Sequence, residues 1–112
     1  MKILFTSTGK TWDSAMDSRF GRAEYLVLYD EESDELEVTD NSAVKNEAHG
    51  AGTATAQKMY EMKPDVLITG NGPGENARAA LKFLKMKIFT GAHNISLKEA
   101  YEQYRNNKLT EL

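Results

Sequence analysis

The sequence predicts an α/β domain in which a mixed five-stranded sheet, of strand order 3-2-1-4-5 with strand 2 antiparallel, is flanked by three helices. Three observations carry this reading. Two short apolar runs, "KILFTS" and "DVLITG", end in small or polar residues, as strands covered on both faces do. Two further runs, "YLVLYD" and "ELEVT", are joined only by the acidic turn "EESD" and so read as a hairpin. Stretches with the apolar spacing of a helix then alternate with the remaining strands.

The first strand is Lys2 to Ser7, and the hairpin follows with strands from Tyr25 to Asp30 and Glu35 to Thr39. The alternation of the last of these leaves one face in water, which predicts an edge strand. "AGTATAQKMYEM" (Ala51 to Met62) is the first helix, thinly striped by Ala56, Met59 and Met62 and ended by Pro64. Asp65 to Gly70 is the fourth strand. In "ENARAALKFL" the residues Ala77, Ala80, Leu81 and Leu84 fall at i, i+3, i+4 and i+7, giving a second helix. "MKIF" (Met86 to Phe89) is the fifth strand. The third helix, "SLKEAYEQY", repeats the spacing with Leu97, Ala100, Tyr101 and Tyr104, and opens with Ser96 and Glu99 in capping-box register. Helical crossovers return the fourth and fifth strands parallel to the first.

A chain of 112 residues, 40% hydrophobic and 28% charged, suits one domain spanning 1–112. The net charge of -3 gives no reason to expect nucleic acid or an anionic membrane as partner. With no cysteine, the chain supplies no disulfide, no thiol nucleophile and no thiolate ligand. The opening "MKILFTSTGK" has too short an apolar run for a signal peptide, and no stretch approaches a membrane span, so a cytoplasmic protein is expected.

Strand direction sends four loops to one edge of the sheet: Thr8 to Glu24, Asp40 to Gly50, Gly70 to Glu75, and Thr90 to Ile95. Ligands of α/β sheets bind at such a carboxyl edge. In the first loop Arg19 and Arg22 either present guanidinium forks to an anion or pair with Asp13 and Asp17 in a surface turn. Phe20 between them is expected to pin the loop into the core, and Gly21 to allow a positive φ. "GNGPGE" (Gly70 to Glu75), between strand and helix, either holds an anion on the amides of Gly70, Gly72 and Gly74 or is a tight turn with Pro73 near the helix start. His49, followed by Gly50 and Gly52, and His93 in "TGAHNIS" either are inert, solvated loop residues or, if both face one cleft, can ligate a metal or a preformed cluster.

Two other chemistries fit less well. "STGKT" (Ser7 to Thr11) imitates the end of a phosphate-binding loop, but Leu4 stands where that motif needs glycine. Three antiparallel strands followed by two parallel ones also form the core of ribonuclease H-like nucleases, which need carboxylates on the central strand to hold two metals. "KILFTS" has none, and the acids of "DEESDELE" belong to the opposite hairpin tip.

"DSRFGRAEYLVLYD", "AHGAGTATAQ", "DVLITGNGPGENARAAL" and "TGAHNISLKEAYEQYRNNKL" together resemble the dinitrogenase iron-molybdenum cofactor biosynthesis family, which includes NifX and the carboxyl-terminal part of NifB. The resemblance covers nearly the whole chain, and its most specific parts are Arg19 to Ala23 and His49 to Gly52. It implies a ribonuclease H-like three-layer fold without the nuclease acids. It also implies a non-enzymatic domain that binds or carries an iron-sulfur or iron-molybdenum cofactor precursor among cofactor-assembly proteins. Arginines, glycine amides and a histidine suit such an anionic cluster, and the lack of cysteine favours transferable holding. The alternative on the same residues is a small-anion or nucleotide-binding sensor module.

Overall fold

The computed structural model describes residues 1–42, 51–81 and 85–112. In chain order the elements are β1 (Lys2–Ser7), β2 (Tyr25–Asp30), β3 (Glu35–Asp40), α1 (Ala51–Met62), β4 (Val66–Ile68), α2 (Glu75–Leu81), β5 (Lys87–Thr90), α3 (Leu97–Arg105) and β6 (Thr110–Glu111). The expected elements are all present, with boundaries shifted by a residue or two at β3, β4 and β5. Leu84, placed in the second helix by its spacing, lies outside the described residues.

The sheet has six strands in the order β3-β2-β1-β4-β5-β6, which corrects the expected five. The sixth pairs antiparallel with β5 through Phe89 opposite Glu111 and Thr90 opposite Thr110, and Leu112 N–H donates to Ile88 O at 2.8 Å. A two-residue polar strand has no alternation to read, so only the open edge of β5 decides that Thr110–Glu111 extends. The rest follows the expected directions: β1 pairs antiparallel with β2 and parallel with β4, and β4 pairs parallel with β5.

Period-two alternation along the central strands divides the core in two. Ile3 and Phe5 share one face with Val27, Tyr29, Val66 and Ile68, and pack against Met16, Ala92 and the α3 residues Leu97 and Ala100. Leu4, Leu26, Leu28 and Leu67 point the other way, onto Ala56 and Met59 of α1 and Ala77 and Leu81 of α2. The molecule is therefore three-layered, with α1 and α2 on one side of the sheet and α3 on the other. Each fully buried large side chain contributes about 1.5–3 kcal/mol through removal from water.

Local signals set the helix ends. Ser96 caps α3 by accepting a hydrogen bond from Glu99 N–H at 3.1 Å. Helix α1 stops before Pro64, with Lys63 in the left-handed region at φ 52° and its N–H donating to Met59 O. The positive φ expected at Gly21 is found instead at Gly91, at 98°, among the described glycines.

Candidate functional site

The first loop is built outward from a buried carboxylate. Asp17 is only 4% exposed and accepts from Arg19 N–H at 3.0 Å, closing a local turn of the kind Asp favours two residues before a free amide. The Arg19 side chain then wraps onto the same carboxylate, Nε and Nη2 each donating at 3.0 Å, and Glu24 N–H donates at 3.3 Å. Burial disfavours the Asp17 anion, but the Arg19 hydrogen bonds and charge outweigh it and hold the carboxyl below its ordinary value. The hydrogen bond to Asp17, followed by its charge, raises Arg19 correspondingly. The sequence left open whether Asp17 pairs with the arginines in a surface turn; it does pair with Arg19, but as a buried carboxylate. It is the internal anchor of the turn, while the Arg19 side chain stays exposed.

Phe20 pins this loop as expected, buried against Leu4 and the α1 and α2 side chains. Behind it, Asn41 N–H donates to Glu24 O at 2.9 Å and Asn41 Nδ2 to Ala23 O at 3.0 Å, while the Thr55 hydroxyl on α1 donates to Gly21 O at 3.2 Å. The Arg-Phe-Gly-Arg turn is thus clamped to both the end of β3 and α1. Deeper still, Thr6 Oγ1 lies 2.8 Å from both Asp17 O and Thr69 Oγ1. The Thr6 hydroxyl is directed at both acceptors, the Asp17 carbonyl and the Thr69 hydroxyl. Two buried threonines join the ends of β1 and β4 beneath the loops.

Three of the four expected loops meet above these threonines. Asn71 N–H donates to Ser18 O at 2.8 Å, and Gly91 N–H donates to Gly70 O at 3.0 Å. The imidazole of His93 sits against Gly70, with Nδ1 3.0 Å from Ser18 Oγ. A β-carbon on Gly70 would lie 2.6 Å from Ser18 Cα and 2.9 Å from His93 Nδ1, so only glycine lets these strands of chain approach so closely. The positive φ of Gly91 turns the chain to bring His93 there. With Nδ1 engaged, Nε2 is the ring nitrogen left for a ligand.

Gly72 and Gly74 follow on the same loop. A β-carbon on Gly72 would meet Leu112 Cδ1 at 3.3 Å, whereas one on Gly74 would meet nothing within 4 Å. Pro73 between them is buried, just before the start of α2. Arg22 is exposed on the first loop. Gly52 stands in the first turn of α1. His49 and Gly50 lie outside the described residues, so the expected pairing of His49 with His93 falls outside them too.

The imitation of a phosphate-binding loop does not hold. No helix follows Ser7 to Thr11; the chain forms turns there, and Gly9 N–H donates to Ser7 Oγ at 3.1 Å. Asp13, beside the arginines in one of the two readings of this loop, lines a separate cavity on the α3 face. Among the described residues no three His, Asp or Glu side chains cluster to hold a metal ion. The rim offers an exposed imidazole, a hydroxyl, a guanidinium and glycine backbone, a set suited to reversible hold on an anion. Ser18 was missed by sequence reasoning, because nothing local in "DSRFG" marks a serine that meets a histidine 75 positions away.

Comparison with known proteins agrees with this architecture. The family model described as dinitrogenase iron-molybdenum cofactor matches residues 1–107. No curated protein matches the chain. Among solved structures, the apo form of the orange protein from Desulfovibrio gigas aligns with a TM-score of 0.91 at 29% identity, over 99% of this chain and 92% of that one. A candidate NifB protein from Thermotoga aligns with a TM-score of 0.84 at 32% identity, again over 99% of this chain and 92% of the other. With nearly the whole length matched and the glycine, arginine and histidine loops gathered on one edge, the chain belongs to the dinitrogenase iron-molybdenum cofactor family.

Proposed function

We propose that this domain is a non-enzymatic carrier that holds an anionic iron-sulfur or iron-molybdenum cofactor precursor at the carboxyl rim and releases it to assembly proteins. The observation that carries the reading is the seating of His93 on Gly70 with Nδ1 tied to Ser18 Oγ at 3.0 Å. It leaves one imidazole nitrogen available beside the loop that bears Arg19. A single borderline ligand with charge-assisted donors around it favours exchange over permanent binding. The lack of cysteine points the same way. The orange protein comparison supports it as well, since that structure is described as an apo form.

On this reading Arg19 and Arg22 supply positive charge, and Gly72 and Gly74 supply backbone free of side chains. His93, with His49 as its expected companion, supplies nitrogen. We read the architecture as ribonuclease H-like without its nuclease chemistry, because β1 carries no carboxylate. No helix among the described residues is long and apolar enough to cross a membrane, and we place the carrier in the cytoplasm.

Anaerobic titration with a preformed iron-sulfur cluster tests the proposal. Saturable visible absorption that stays with the protein on gel filtration is expected, weakened by His93→Ala and by the paired Arg19→Ala, Arg22→Ala change. Protein that stays colourless with every cluster donor, yet gains thermal stability from nucleotides or small oxyanions, would establish the sensor alternative. Ligand at 100 times its Kd adds about 2.7 kcal/mol, so a thermal shift resolves either case.

A further inference from the structure

A second concavity lies on the α3 face of the sheet and shares no residue with the His93 rim. Trp12, Asp13, Asp34, Lys98, Tyr101 and Glu102 surround a cavity of about 490 Å³. That volume falls within the roughly 300–1,000 Å³ of small-ligand sites.

Its aromatic wall is firmly built. Trp12 is held on the start of α3 by Lys98 N–H, which donates to Trp12 O at 3.1 Å. The indole meets the buried Phe5 ring edgewise at 5.8 Å, Tyr29 at 4.8 Å and Tyr101 at 5.8 Å between centroids. Tyr29 Oη donates to Asp34 Oδ1 at 2.7 Å and tethers that carboxylate to the wall. The Tyr101 ring already takes one cation of the chain, with Arg105 Cζ 5.9 Å from its centroid.

The lining sets the sign of the ligand. Asp13, Asp34 and Glu102 bring three carboxylates against the single ammonium of Lys98. An anion meets net repulsion here, and a neutral apolar molecule would desolvate the carboxylates without pairing them. A cation with an apolar body satisfies both the rings and the acids, since the ring face and the carboxylate attract the same charge. We propose that this cavity binds a small organic cation, a quaternary ammonium or guanidinium group on an apolar body.

Trp12 is the one tryptophan of the chain, so its fluorescence reports on the cavity directly. Titration of the intact protein with benzyltrimethylammonium at low ionic strength is expected to give a saturable change. Benzyl alcohol should bind about tenfold more weakly or less, and benzoate not at all. Asp13→Asn with Glu102→Gln should weaken the cation about tenfold. Lys98→Gln should tighten it, an outcome that loss of folding cannot imitate. Equal binding of benzyl alcohol, preference for benzoate, no saturable change, or indifference to both sets of substitutions would each overturn the assignment.

Discussion

His93 Nδ1 and Ser18 Oγ stand 3.0 Å apart although 75 positions separate them in the chain, and the close approach of Gly70 to both is what allows it. The ring is exposed, so its hydrogen bond has little work to do for the fold. Replacement of Ser18 by alanine is therefore expected to cost about 1 kcal/mol or less in stability, because a solvent-accessible hydrogen bond is worth little net free energy. The same change should weaken cluster retention by freeing the imidazole to rotate. Urea denaturation and anaerobic titration read the two effects separately, and a large stability loss with unchanged retention would refute the orienting role.

The glycines of the rim separate fold from function. Gly70→Ala places a methyl group 2.6 Å from the Ser18 backbone and should destabilise by about 1–3 kcal/mol. Gly91→Ala has room for its methyl group but keeps φ at 98°, and should cost about 1 kcal/mol or more. Gly74→Ala meets nothing within 4 Å and should cost under about 1 kcal/mol, mostly as a poorer helix cap. If backbone at Gly74 approaches the cargo, that mild change will still reduce cluster binding. Thermal midpoints ranked Gly70 and Gly91 below Gly74 are the expected pattern.

Asp17 should govern acid stability. Burial raises its pKa, but the Arg19 and Glu24 hydrogen bonds pull it below the ordinary value of 3.8. The folded state thus binds fewer protons than the unfolded chain near that pH. Its contribution is complete above the unfolded value and fades as pH falls through the lower folded one. Asp17→Asn keeps the shape but loses the charge, and a cost of about 1–3 kcal/mol at neutral pH is expected. The wild-type and variant midpoints should converge as pH drops below 3.8. A gap that stays constant across that range would show that the charge is not responsible.

Tyr29 makes the opposite prediction at high pH. Its hydroxyl donates to Asp34, and that bond, with burial and the Asp34 charge behind it, pushes the phenol up from 10.0 to about 12. The folded state keeps its proton where the unfolded chain loses it, so stability declines as pH rises from 10.0 towards 12. Spectrophotometric titration of tyrosinate should show Tyr29 titrating late along with Tyr101 and Tyr104, which burial also raises, and Asp34→Asn should bring Tyr29 back towards 10.0. An unchanged titration in the variant would separate Tyr29 from Asp34.

Strands β1 to β5, the helices, the cap at Ser96 and the direction of each crossover were legible in the sequence because they rest on local periodicity and short-range chemistry. So was the gathering of three of the four expected loops at one edge, which follows from strand direction alone. Tertiary structure decided what pairing across the chain decides. The open edge of β5 recruited Thr110–Glu111 as a sixth strand. The tight packing at Gly70 gave His93 a serine partner. Burial turned Asp17 from one acid among several into the anchor of the arginine turn. Periodicity reports which face of an element is dry, but a contact between loops depends on distances that only the assembled sheet sets.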